Sequence, residues 1–226
     1  MRLSVYISFL FWFAYGLVRS QGITKSTLTT STHNALASIF ASQVDEANPA
    51  ELTKKMGEIL GCRVKLKETK IRTTLNVRPT VASIFKKTSN RTYIVRINNR
   101  SRKDAILLST IPPKAQLGLW MHETMHIADY QQRNTAGILQ RATQYLSKKG
   151  KKRYEHEIDK MVVENGYGYF LSRWAEFAMN NSNASEKYKE YKRSFYLSPI
   201  QINHLMIENP SLEANSHQNE ANTFAK

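Results

Sequence analysis

Residues His122, Glu123 and His126 stand in the order His-Glu-Thr-Met-His within WMHETMHIADY, residues 120–130. On a helix, positions i and i+4 share one face, so the two imidazoles can reach a single metal ion. Glu123 follows the first His, where its carboxylate can touch a metal-bound water without touching the metal. A zinc ion lowers the pKa of such a water and a neighbouring carboxylate can take its proton, which is hydrolytic chemistry at neutral pH.

A zinc site of that kind needs a third protein ligand and an open fourth position. The segment YEHEID, residues 154–159, supplies candidates, with 28 residues between His126 and Glu155. Glu155 and Asp159 are again i and i+4. One face of a second helix can therefore offer a ligand and a carboxylate to hold the free N–H of a ligating imidazole. Glu157, on a different face, is the rival third ligand.

The spacing also predicts the elements that carry these residues. Leu117, Trp120, Met121, Thr124, Met125 and Ala128 gather on one side of a helix opening at about Lys114, after Pro112-Pro113, and the two His fall on the other. Tyr154, Ile158, Met161 and Val162 make the buried stripe of a second helix from about Arg153. Gly166 and Gly168 near its middle mark a kink or a close approach to the first metal helix. Ile138, Leu139, Ala142, Tyr145 and Leu146 form a connecting helix. Val64/Leu66, Leu75/Val77 and Tyr93/Val95/Ile97 alternate as strands do, with turns expected at Asn76 and Asn90. Pro49 opens a helix that Gly61 stops, and Ser198-Pro199 starts another.

With HExxH followed by Glu-x-x-x-Asp, the chain resembles the gluzincin branch of zinc metallopeptidases. MHETMHIADY, YEHEIDKMVVENGYG and FYLSP together resemble small exported bacterial zincin-like proteins of unassigned substrate, over about residues 90–208. The resemblance implies a minimal zincin-like α+β domain, with a small β-sheet packed on an active-site helix plus further helices. It implies zinc held by His122, His126 and Glu155, with Glu123 as base and Asp159 as the partner behind a ligand. Gluzincins often place a His or Tyr over the cleft to stabilise the transition state; Tyr196 is the first candidate here and His204 the second. The strand 92–98 is either a sheet edge that pairs with an extended substrate or an ordinary interior strand.

The N-terminal residues 1–20 combine Arg2 with an apolar run from Leu3 to Val18 and read as a secretory signal, or as a membrane anchor if uncleaved. Export, periplasmic or secreted, follows from that reading. Residues 21–33 are rich in Thr and Ser and read as a linker. Leu36, Ile39, Phe40 and Val44 give a first amphipathic helix. Residues 34–208 form a single domain, and 209–226 read as a disordered tail. Cys62 is the sole cysteine, which excludes an intramolecular disulfide and a Cys-based zinc site. Its expected role is a small buried thiol.

A net charge of +15 suits an anionic surface such as a membrane or cell wall, and otherwise reads as a solvated basic surface. The densest cluster, KKGKKR at 148–153, is expected as a loop. No aromatic-interleaved nucleic-acid motif surrounds it, so no specific nucleic acid is expected. Two function classes follow. The first is a zinc metallopeptidase acting on a protein or peptide substrate. The second is an exported, non-catalytic zinc-containing binding protein with a basic surface.

Overall fold

In a computed structural model the described residues are 48–100 and 106–208. The expected signal or anchor, the linker, the first amphipathic helix and the C-terminal tail lie outside them. The fold is α+β. Helix α1 (Pro49–Ile59) leads into strands β1 (Arg63–Thr69), β2 (Leu75–Pro79) and β3 (Thr92–Asn98). The helices α2 (Pro113–Gln131), α3 (Thr135–Gln144), α4 (Lys148–Glu164), α5 (Gly168–Glu176), α6 (Glu186–Phe195) and α7 (Pro199–Ile207) follow.

The sheet order is β1-β3-β2, with β3 parallel to β1 and antiparallel to β2. Strand β3 is thus the interior strand, and of the two alternatives for it the sheet-edge one is overturned: its backbone groups pair on both sides. Register aligns Leu66–Val95–Val77 and Val64–Tyr93–Pro79 across the sheet. Because strand side chains alternate, these rows share one face, which α1 and α2 cover. Asn76 pairs with Arg96 inside β2 and is not at a turn. Its amide oxygen accepts from Arg96 Nε at 2.8 Å, and this side-chain bond suits a strand position as well as a turn.

Helix α2 departs from the expected amphipathic design. Every residue from Leu117 to Tyr130 is buried, including the supposed metal-binding front. It is wedged between β2, α4 and above all α5. The closest approach lies at Gly118, where an added Cβ would stand 2.0 Å from the carbonyl oxygen of Phe170. Close packing on α2 thus falls to Gly118 rather than to Gly166 or Gly168. Gly166 instead ends α4 with a φ of 75°, a conformation that favours glycine. The chain restarts as α5, so the long second helix of the sequence reading is two helices.

The basic cluster 148–153 is also helical. Ser147 caps α4 by accepting from Gly150 N at 2.9 Å, and the lysines that follow have good helix propensity, so the run forms the first turns of α4 and not a loop. Leu146, expected in the stripe of the connecting helix, is 72% exposed beyond the end of α3. Ser198 caps α7 with a reciprocal Ser198–Gln201 capping box.

Candidate metal centre

Helix α2 brings His122 and His126 to the face that meets α4, and α4 answers with Glu155. The three donor atoms form a triangle: His122 Nε2 to His126 Nε2 is 3.2 Å, His122 Nε2 to Glu155 Oε2 is 3.3 Å, and His126 Nε2 to Glu155 Oε2 is 3.5 Å. Ligand atoms about 2.0–2.1 Å from a tetrahedral ion stand about 3.3–3.4 Å from one another. The triangle therefore matches one face of a tetrahedral shell. His122, His126 and Glu155 are only 3–5% exposed, and together they could hold a metal ion.

Two further observations fit a cation there. Among the described residues the buried Glu155 Oε2 has no hydrogen-bond partner, although both imidazole Nε2 atoms face it. Two imidazole nitrogens 3.2 Å apart need a proton or a cation between them. Burial pulls His122 down, yet its hydrogen bond with Asp159 and the facing Glu155 carboxylate outweigh this and push it up to about 10. For Glu155, burial acts upward, but the His122 and His126 imidazoles that face it hold the carboxyl well below the usual range.

The atoms behind the donors fix their orientation. Asp159 Oδ1 lies 2.8 Å from His122 Nδ1, and its Oδ2 accepts from the backbone N–H of Leu197 at 2.9 Å. That leaves His122 Nε2 facing the centre. Behind His126 stands Tyr154, whose hydroxyl is 3.2 Å from His126 Nδ1 and donates to Asp129 Oδ2 at 3.2 Å. Asp129 in turn receives paired N–H bonds from Arg133 (2.9 and 2.7 Å) and Arg141 (3.1 and 2.9 Å). Burial opposes its ionisation, but these two guanidiniums hold its carboxyl below the usual range. An ionised Asp129 can only accept, so the Tyr154 oxygen accepts from His126 Nδ1–H.

Sequence reading missed three members of this shell: Tyr154, Asp129 and Tyr145. Tyr154 passed as core because its ring is fully buried, and Asp129 carries no motif. Tyr145, placed on the connecting helix, donates its hydroxyl to Glu155 Oε1 at 2.9 Å. The one available signal was the i, i+3 spacing of His126 and Asp129. Glu157, the rival ligand, faces away from the triangle and accepts from Arg141 at 2.5 Å.

Glu123 lies beside the triangle but outside it. It is 5% exposed, and its Oε2 has no hydrogen-bond partner among the described residues. Burial pushes its carboxyl up, against the pull of the His126 and His122 imidazoles. The Tyr196 ring packs 5.6 Å from the His122 ring, under the Lys192 ammonium at 4.2 Å. His204, by contrast, is exposed and paired with Glu208 at 3.1 Å, remote from any cleft role. Cys62 is partly buried, and burial pushes its thiol up to about 11, which leaves it an unreactive thiol.

Comparisons with protein-family models, curated proteins and solved structures return no significant match. The centre has to be interpreted from its own chemistry.

Proposed function

We propose that this chain is a zinc-dependent hydrolase, most simply a peptidase of the gluzincin type, with Glu123 as its general base. The observation that carries the proposal is the Glu123 carboxylate: buried, unpaired at Oε2 and adjacent to three metal donors without being one of them. A purely structural centre has no use for such a group, since burying an unpaired carboxyl oxygen costs free energy.

His122, His126 and Glu155 hold the metal, and zinc suits two imidazoles and a carboxylate. Bound there, zinc supplies a Lewis acid that polarises a substrate carbonyl and eases ionisation of a water. Glu123 is the group placed to take a proton from an attacking water and to return it to the leaving amine. Its raised pKa brings it nearer neutrality, where one carboxyl can accept and then return a proton. Asp159 and the Tyr154–Asp129 pair lock the imidazole orientations. Tyr196, packed on His122, is the candidate for stabilising the developing oxyanion. Export, or anchoring through an uncleaved N-terminal run, belongs to the same reading. No helix of the described residues is long and apolar enough to cross a membrane.

The deep burial of the donors favours a second reading, an exported binding protein whose metal only braces α2 against α4. Metal analysis with Glu123→Gln separates the two. In the hydrolase, the variant keeps its metal and fold and loses about 10²–10⁴-fold in turnover of a cleaved library peptide. Cleavage at the wild-type rate by Glu123→Gln refutes the mechanism. Negligible metal, or metal content unaffected by His122→Ala with His126→Ala, refutes the centre itself.

A further inference from the structure

The sheet face turned away from α1 and α2 carries none of the three donor residues of the centre. Register places Lys65–Ile94–Arg78 in one cross-strand row and Lys67–Arg96–Asn76 in the next, with Arg63 opposite Thr92. By strand alternation these side chains share the outer face. Arg63, Lys65, Lys67 and Arg78 are exposed, Arg96 is half-buried, and among the described residues none of the five pairs with a carboxylate. Like charges opposite one another weaken a sheet, so the Lys67–Arg96 pair costs stability and contributes nothing to the core. Burial and the neighbouring Arg78 both pull Arg96 below its ordinary range, against an opposite pull from the Glu123 carboxyl.

The link between β2 and β3 runs from Pro79 to Thr92, at the end of the sheet where Arg63 lies opposite Thr92 and Arg78 opposite Ile94. There Val81 is 74% and Phe85 72% exposed, and Lys86 and Lys87 follow Phe85 directly. The link is held against the sheet and helices rather than left loose: Ser83 Oγ bonds Thr92 O at 3.0 Å, and Thr135 Oγ1 bonds Ile84 O at 3.0 Å. Two presented apolar side chains bordered by cations are costly in water and match a bilayer interface, where apolar tips enter among the headgroups and the cations meet lipid phosphates. A soluble polyanion would use the cations but has no need of Phe85.

We propose that this outer face and the β2–β3 link form a docking surface for an anionic lipid bilayer. It goes beyond the hydrolase reading and does not depend on it. The test is co-sedimentation of the full chain with vesicles of phosphatidylcholine alone and with a quarter phosphatidylglycerol. Every variant keeps the apolar run Leu3–Val18, so the readout is the ratio of anionic to neutral partitioning. Each cation at an anionic surface contributes about fivefold. Lys65→Glu with Lys67→Glu should therefore lower the ratio by at least about 25-fold. Phe85→Ser should weaken binding to the anionic vesicles several-fold while leaving binding to a single-stranded oligonucleotide unchanged. Circular dichroism and metal content report whether these surface variants keep the fold. Equal partitioning of wild type into both vesicles, or a ratio that survives the double reversal, overturns the proposal. So does vesicle binding insensitive to Phe85→Ser, which would make the face a site for soluble polyanions.

Discussion

Replacing Tyr154 with phenylalanine removes one atom from the wall behind the centre, and the surroundings set what that atom is worth. The hydroxyl touches His126 Nδ1 and Asp129 Oδ2, each at 3.2 Å. Asp129 keeps all four N–H bonds from Arg133 and Arg141, so its carboxylate is not orphaned. The ring also keeps its place, 4.3 Å under the Arg141 guanidinium and 5.3 Å from the His126 ring. The cost therefore falls on His126 and on the Tyr130 hydroxyl, which also bonds Tyr154. The His126 Nδ1–H loses its partner, and the neutral imidazole can move its proton to Nε2, the atom the metal needs. Metal affinity should drop about 10–100-fold, equivalent to about 1.4–2.7 kcal/mol. The unsatisfied N–H should lower fold stability by about 1–3 kcal/mol. Competition with a chromophoric chelator measures the first, and urea unfolding in excess chelator the second. Affinity unchanged in Tyr154→Phe, with His126→Ala still abolishing binding, would show that Tyr154 does not set the His126 tautomer.

Asp159→Asn should cut metal affinity about 10–100-fold and Glu155→Gln more, whereas Glu157→Gln should leave metal content unchanged and lower only thermal stability; strong metal loss in Glu157→Gln would transfer the third ligand. Gly118→Ala forces a Cβ to within 2.0 Å of Phe170 O, so α2 and α5 must separate, at a cost of about 1–3 kcal/mol or more in chemical denaturation. Stability equal to wild type would mean that the two helices do not cross so closely. Asp129 is depressed in the folded state. Its ionic contribution is therefore present above the unfolded value of about 4 and lost as pH falls through the lower folded value. The stability difference between wild type and Asp129→Asn should be flat from pH 7 to about pH 5 and shrink below about pH 4, and a difference independent of pH down to 2 would contradict the ion-pair geometry.

What was legible in the sequence was local. The i, i+4 spacing of His122 and His126 needs only helical pitch, so the pair could be placed without knowing what it faces. The same holds for Glu155 and Asp159, for the alternation in β1, β2 and β3, and for the stops and starts at Gly61, Pro113 and Ser198. What lay beyond reach depended on which surfaces meet. Whether Glu155 or Glu157 completes the donor triangle is decided by the rotation of α4 against α2, which also gives Glu157 to Arg141. The centrality of β3 is a matter of strand order, on which alternation within a strand is silent. Tyr154 looked like core because its ring is core; only the approach of α2 put an imidazole and a carboxylate at its hydroxyl. The basic run at 148–153 misled for a related reason, since charge density signals solvent exposure and not backbone state. An exposed helix with a good Ser147 cap satisfies both. Helical pitch and strand alternation act over a few residues and are written in order along the chain, whereas the partners of Asp129, Tyr145 and Tyr154 are set by packing between helices that the chain only later brings together.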